Sequence, residues 1–439
     1  MDSYGRYSNG GWDNFNSHDF IGSESVRKDF PVTQKKIYMN NGAIAPTPLS
    51  TIKSITDFLL NFSEGGPDSS YITEYTNSLM DELRTRITHL INCEPEEVIF
   101  TQSTTEGLNY VSNGIDWSKE TNDSIIVRGG NQEHLANYLP WLQLSLRKGV
   151  MLHELEIDEN GYFEIDEVET LIKKKVKTVT QNNNCLDGRR ESFTLVTLSH
   201  ALYNNGSIMP VAEVGRIAKE NSALFCIDAA QTVGTLEVDV KKIGCDFMAF
   251  PAFKWICGPV GMGIFYCSKK AAELLVPQSI GGESALVSVN EKQKREKVIV
   301  YKDVPQRFQT GFRNYAGVAG MESSVRYILR LGINNIRKKN LKVANVLRDE
   351  LAKIPNIKIY GPEEESLRTS IVSFSTVSSS SGHSKVDSKV IVHRLEQDNI
   401  IFAERDIGSG KKVVRAAPHF FNTEEEAENV AGCIKYILK

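Results

Sequence analysis

The feature that most restricts the fold of this chain is an alternation running from about residue 95 to 267. The runs EVIFT (97–101), SIIVR (124–128), MLHEL (151–155), FTLVTLS (193–199), ALFCID (223–228), DFMAF (246–250) and GIFYC (263–267) are short, apolar and rich in β-branched or aromatic residues. Between most of them lie amphipathic stretches such as 133–148 and 211–220. Strands that read as unbroken apolar runs are buried on both faces, and helical connections are what put cover there. The pattern predicts an α/β fold: a mostly parallel seven-stranded sheet in a large domain.

The pattern changes beyond about residue 325. A charged helix is expected over 333–353, a strand near 370–375, a Ser-rich loop at 378–384, a helix over 386–397, a strand at VVRAA (413–417) and a last helix over 423–437. These elements read as a smaller α+β domain. Residues 1–30, rich in Gly, Asn, Ser and Asp with aperiodic aromatics, read as a mobile arm. The division expected is therefore 1–30 arm, 31–320 large domain and 321–439 small domain. QNNNCLDGRRE (181–191) reads as a polar insertion, and 287–305 as an irregular charged stretch.

Composition closes off several classes of function. The 439 residues carry a net charge of −4, which offers no basic footprint for nucleic acid. No stretch approaches 18 consecutive apolar residues, so no membrane span is expected. The polar N-terminus lacks the apolar core of a secretory signal. The seven cysteines, at 93, 185, 226, 245, 257, 267 and 433, are odd in number and contain no CxxC pair. That set fits reduced thiols of a cytoplasmic protein better than a disulfide framework or a metal centre.

Two phosphate-loop lookalikes fail on mechanics. IGSGKK (407–412) has Arg405 where the first glycine of such a loop belongs and Lys412 in place of Ser or Thr. GPVGMG (258–263) precedes a strand rather than opening a helix. Three other segments, each at the C-terminal end of an expected strand, carry more. QSTTEGLN (102–109) places small hydroxylated residues where a helix opens, with free N–H groups for a phosphate; a plain N-cap with Glu106 completing a capping box reads equally from this segment alone. Asp228 ends a buried strand, where a carboxylate needs a cation or donors. Lys254, in PAFKWICGPVG, lies in an aromatic pocket suited to a nucleophilic amine, or to a lysine merely snorkelling to solvent. Phosphate cradle, carboxylate and amine together are what pyridoxal 5'-phosphate requires.

At this point the chain resembles the class V aminotransferase superfamily, which contains cysteine desulfurases, isopenicillin-N epimerase-like enzymes and C–S lyases. The resemblance covers the chain from about residue 30 onward. It is carried by IYMNNGAIAPTP (37–48), TQSTTEGLN (101–109), EHLANYLPW (133–141), LSHALYNNG (198–206), CIDAAQTVG (226–234), FKWICGPVGMG (253–263), RFQTGFRN (307–314) and VRAAPHFFNTEEE (414–426). It implies a fold-type-I pyridoxal phosphate transferase acting as a homodimer on an amino acid, with the site near the subunit interface. Carried over by position, Lys254 would bond covalently to the cofactor and Asp228 would face its ring nitrogen. Gln231 would hydrogen-bond the ring hydroxyl, His134 would stack on the ring beside Tyr203, and Thr104 and Thr105 would hold the phosphate. Arg415 would grip the substrate carboxylate, with Arg405 a second candidate, while Gly42 and Ala43 in the segment 31–50 would line the substrate pocket. Lys254, His134 and Asp228 would be the catalytic set.

The chain departs from the family's pattern at Pro251 and Phe253, where Ser and His usually precede the lysine, and at Phe312, where a Thr usually reaches the partner's phosphate. Arg313 is at hand to compensate. No cysteine lies between Cys267 and Cys433, so the mobile-loop thiol of the desulfurases has no counterpart. The expectation is β-elimination with C–S cleavage on a cysteine-derived substrate. The alternatives are an epimerase, aminotransferase or carbon–carbon bond-forming enzyme, and, in another class, a cofactor-free regulatory homologue.

Overall fold

A computed structural model describes residues 24–129, 132–181, 192–290, 296–378, 386–408 and 410–439. Seven strands form the main sheet: β1 (Val98–Thr101), β2 (Ser124–Arg128), β3 (Met151–Leu155), β4 (Thr194–Ser199), β5 (Leu224–Asp228), β6 (Phe247–Pro251) and β7 (Gly263–Cys267). Their order is β1-β7-β6-β5-β4-β2-β3. All neighbours pair in parallel except β7, which is antiparallel to both β1 and β6. Each of the seven expected strands is present within one residue of its expected ends.

Both faces are covered, as the apolar runs require. One face buries Ile126, Val196, Ile227, Met248 and Ile264 against Leu83, Ile87, Val214 and Val325 of three helices, Ser70–Ile91, Val211–Glu220 and Tyr315–Leu331. The other buries Ile99, Val127, Leu195, Phe247 and Phe265 beneath the helices Thr104–Gly114 and Leu139–Lys148. The helix Thr104–Gly114 comes unusually close to the sheet, since a Cβ on Gly107 would sit 2.9 Å from Ala249 Cβ. That approach brings the first turn of the helix down to the strand ends.

Toward the C-terminus a four-stranded antiparallel sheet runs in the order Ile357–Tyr360, Val372–Thr376, Lys412–Ala416, Ala403–Asp406. It shares a separate core, including Val372, Phe374, Val414, Leu347, Ile391 and Ile434, with the helices Ile333–Ala352, Ser388–Gln397 and Glu424–Ile437. The segment 37–45 stitches this unit to the main sheet. Ile37–Tyr38 pairs with Ile400–Ile401, Asn40 bridges Ala417, and Ala45 N–H donates to the Phe253 carbonyl at 2.8 Å.

Three sequence expectations need comment. The stretch 287–305 is not irregular: Ala285–Asn290 and Glu296–Tyr301 form an antiparallel hairpin. Val287 and Val289 alternate with the polar Ser288, the period-2 signal of a strand, whereas Val298, Ile299 and Val300 run consecutively. The end of the presumed arm is packed. Glu24–Lys28 is a short helix, and Val26 and Phe30 are fully buried among Tyr327, Phe420 and Phe421. The expectations for residues 1–23, for 182–191 of the polar insertion and for 379–384 of the Ser-rich loop lie outside the described residues. Among the described residues no helix is long and apolar enough to cross a membrane.

Candidate active site

Because the parallel strands share a direction, their C-terminal ends gather on one edge of the sheet. Thr101, Arg128, Ser199, Asp228 and Pro251 each end a strand there. Loops leaving this edge deliver most of the residues singled out in the sequence.

Lys254 sits in the turn after β6 and is partly buried. Burial pushes its amine down to about 8, Asp228 opposes this, and the charges of Arg415 and Arg405 add to it. Asp228, at the end of β5, is held by the Ala230 N–H at 2.9 Å. Its burial raises the carboxyl pKa above the usual range, and the Lys254 charge works against that rise. Gln231, one turn on, bridges two parts of the site: its Nε2 donates to the Gly42 carbonyl at 2.9 Å, and its Oε1 accepts the indole N–H of Trp255 at 2.9 Å.

His134 caps the short helix Leu135–Asn137, its Nδ1 accepting the Ala136 N–H at 3.1 Å. Burial, then the Lys254 charge, pushes it down to about 4, so near neutral pH the ring is uncharged with its proton on Nε2. The ring meets Tyr203 edge-on at 5.0 Å. Beneath it, Arg128 and Glu133 form an ion pair at 3.0 Å with both side chains wholly buried. Glu133 also accepts the Ser199 hydroxyl and the His134 N–H. These bonds, and one from Arg128 Nε to the Gly161 carbonyl at 3.0 Å, help hold the buried pair, while Arg128 Nη2 has no partner among the described residues.

Arg415 reaches the site from the small sheet and is 1% exposed. Its Nη1 donates to the Tyr203 carbonyl at 2.7 Å and its Nη2 to Asn40 Oδ1 at 2.9 Å, while Nε has no partner among the described residues. Burial and the nearby Arg405 pull its pKa to about 9, which leaves it cationic near neutral pH. Arg405, on the adjacent strand, is partly buried and acts on Lys254, His134 and Arg415 through its charge. Gly42 is buried, and Ala43 closes its turn by an N–H to the Asn40 carbonyl at 2.9 Å. A Cβ on Gly42 would lie 3.3 Å from Gln231 Oε1 and 3.4 Å from Arg415 Cζ, so this turn packs closely against both side chains.

At the other end, Ser103 caps the helix Thr104–Gly114 by accepting the Glu106 N–H at 3.3 Å. Glu106 in turn accepts the Gln102 N–H at 2.6 Å and not that of Ser103, so the plain N-cap is present but the capping box read from this segment is not closed. Thr104 is 6% exposed and its Oγ1 has no partner among the described residues, whereas Thr105 lies exposed. Pro251 completes β6, Phe253 offers only its carbonyl, to Ala45, and Phe312 is 90% exposed. Arg313 donates to the Phe308 carbonyl at 2.8 Å and leaves Nε unpartnered.

The donor set fits pyridoxal phosphate. Burying Thr104 Oγ1 unpaired at a helix N-terminus is costly unless an anion meets it, and a carboxylate beside a depressed lysine suits the ring and aldehyde ends. Sequence reasoning missed Asn40, Arg128, Glu133 and Trp255. Arg128 carried the same signal as Asp228, a charge closing an apolar strand; Trp255 carried none, since an aromatic beside a pocket lysine reads as ordinary core.

Comparison with known proteins agrees with this geometry. The family model "Aminotransferase class-V" matches residues 37–188 and 181–430. A probable cysteine desulfurase of Methanothermobacter thermautotrophicus is 32% identical over 426 residues, covering 95% of this chain and 98% of its own length. One from Pyrococcus abyssi is 30% identical, over 95% and 98%. The apo structure of a cysteine desulfurase from Thermococcus onnurineus superposes with a TM-score of 0.80 at 27% identity, covering 95% of this chain and 98% of that one. With a family model spanning most of the chain and relatives aligned end to end, this chain belongs to the class V aminotransferase family and is a pyridoxal phosphate-dependent enzyme of fold type I.

Proposed function

We propose that the enzyme cleaves the C–S bond of a cysteine-derived amino acid by β-elimination, releasing the sulfur as a small molecule. The observation that carries the reading is the absence of any cysteine between Cys267 and Cys433, in a chain whose nearly full-length relatives bear the name cysteine desulfurase. Two guanidiniums, Arg415 and Arg405, add that the substrate carries an α-carboxylate and a second anionic or strongly polar group.

When bound, pyridoxal phosphate supplies an aldehyde that takes up the substrate's amino group and a ring that accepts the electrons of a broken Cα–H bond. Lys254 would bond to it, Asp228 would hold the ring nitrogen, Gln231 the ring hydroxyl and Thr104 the phosphate, with Thr105 beside it. His134, uncharged and edge-on to Tyr203, would lie against the ring face. Arg415 orients the substrate by its carboxylate against the wall of Gly42 and Ala43. Lys254, with a pKa of about 8, is poised near neutral pH to take the Cα proton and return it later. The proton leaves Cα, the Cβ–S pair departs with sulfur, and water completes a 2-oxo acid, ammonia and a thiol.

The working unit is a homodimer, a reading supported by the apolar surface that one chain leaves open: Leu286, Val287, Ile299 and Phe312 are all more than half exposed. Residues 31–320 and 321–439 are taken as large and small domains, preceded by an arm over 1–30 whose end, residues 24–30, packs against the chain; the last boundary falls within the helix Tyr315–Leu331. The test is to incubate holoenzyme with cysteine, cystine and cysteine S-conjugates and then weigh the intact protein. Expected are equimolar 2-oxo acid and free thiol or persulfide with the protein mass unchanged; sulfur retained on the protein would overturn the reading.

A further inference from the structure

Trp255 follows Lys254 directly, is fully buried, and has no part in the roles assigned so far. An indole N–H can only donate. Its bond to Gln231 therefore turns the carboxamide oxygen toward Trp255 and the amide nitrogen toward Gly42, settling a flip that shape alone leaves open. The backbone of Trp255 is gripped as firmly. Its carbonyl accepts His419 Nε2 at 3.1 Å, and burial pushes His419 down to about 3, so the ring is uncharged, with its proton on Nε2. His419 Nδ1 then faces Asn340 Nδ2 at 3.3 Å, and that same nitrogen donates to Thr235 Oγ1 at 2.9 Å. Gly234 makes the approach possible, because a Cβ there would lie 2.5 Å from the Trp255 oxygen. A polar chain thus runs from the helix Ile333–Ala352 through His419 and Trp255 to Gln231 and the Gly42 turn.

We propose that Trp255 is a positioning residue: through its indole N–H it fixes the orientation of Gln231 and, through Gln231, seats the Gly42 turn that walls the substrate pocket. The inference rests on the site reading above for what Gln231 and Gly42 face. It does not rest on it for their coupling to Trp255, and the test separates the two.

The variant is Trp255→Phe, which keeps the ring and removes the donor. In the cofactor-free protein, hydrogen exchange of the Ala43 and Ala45 amides should quicken about tenfold, the loss of roughly one neutral hydrogen bond, with the helices of the main domain unchanged. In the holoenzyme the cofactor absorption maximum should move, and KM should rise about tenfold with kcat altered less. Gln231→Glu keeps an acceptor for the indole but loses the donor to Gly42, so it should quicken the same exchange; the double variant should be no worse than either single one. Unchanged exchange at residues 42–45 in Trp255→Phe, or additive effects in the double variant, would overturn the proposal. If Trp255→Phe does not fold, Gln231→Glu with unchanged exchange at Ala43 overturns it as well. Faster exchange with an unmoved cofactor spectrum would uphold the coupling and sink the placement of Gln231 at the cofactor.

Discussion

The two ends of the cavity are built differently. At the lysine end most of the named side chains are tied within one chain: Asp228 to a backbone N–H, Gln231 to Gly42 and Trp255, Arg415 to Tyr203 and Asn40, and Glu133 to Arg128, with Arg415 Nε and Arg128 Nη2 left without partners among the described residues. At the helix end Thr104 Oγ1 is buried and unpaired, Thr105 is exposed, and Pro251, Phe253 and Phe312 bring no hydroxyl or imidazole. The first end is preorganised before anything binds. The second relies on backbone N–H groups, a helix dipole and one hydroxyl, so the anion it receives must itself complete it. On the proposed reading, the chemistry falls at the more constrained end and the cofactor's phosphate at the less constrained one.

The largest expected effect that would sharpen this contrast is at Lys254. Lys254→Ala should lower kcat by at least about 10³-fold while the helix end still holds the cofactor, measured by turnover and by retained cofactor absorbance. Next, Arg415→Ala should raise KM for an anionic amino acid by about 10- to 100-fold, with a smaller change in kcat, because a charged hydrogen-bond donor is lost. Thr104→Ala should weaken cofactor binding about tenfold, and Thr105→Ala by less than about threefold, both by titration of apoenzyme. Equal losses at the two threonines would break the contrast, since it rests on one being buried and unpaired and the other exposed.

The smallest expected effect is the pH response of the apoenzyme. Lys254 titrates at about 8, so its labelling by an aldehyde and reductant should rise through pH 8 rather than through the ordinary lysine range. Its folded-state pKa lies below the unfolded one, so the unfolded chain binds more protons between them and stability should rise across that window. His134 and His200, both pushed to about 4 by burial, follow the same rule: the melting temperature should fall as pH drops below about 6.5 toward 4.

Much of this was legible in the sequence, for a physical reason. Strands buried on both faces must be apolar along their whole length, so β1 to β7 read directly from composition, and their C-terminal ends pointed to Asp228 and Lys254. The hairpin over 285–301 was lost because its apolar residues face outward beside charges, and exposure hides the usual strand signal. Trp255 and Asn40 were lost because their importance lies in whom they touch across long sequence distances, Gln231 in one case and Arg415 in the other.

The central claim is that Lys254 takes the Cα proton and that sulfur then leaves. The most direct test is mass spectrometry of holoenzyme reactions run in D₂O with cysteine, cystine and cysteine S-conjugates. The account predicts a 2-oxo acid together with an equal amount of released thiol or persulfide. Recovery of an intact amino acid carrying deuterium at Cα, with no sulfur released, would contradict it: the proton would still move, and the C–S bond would not break.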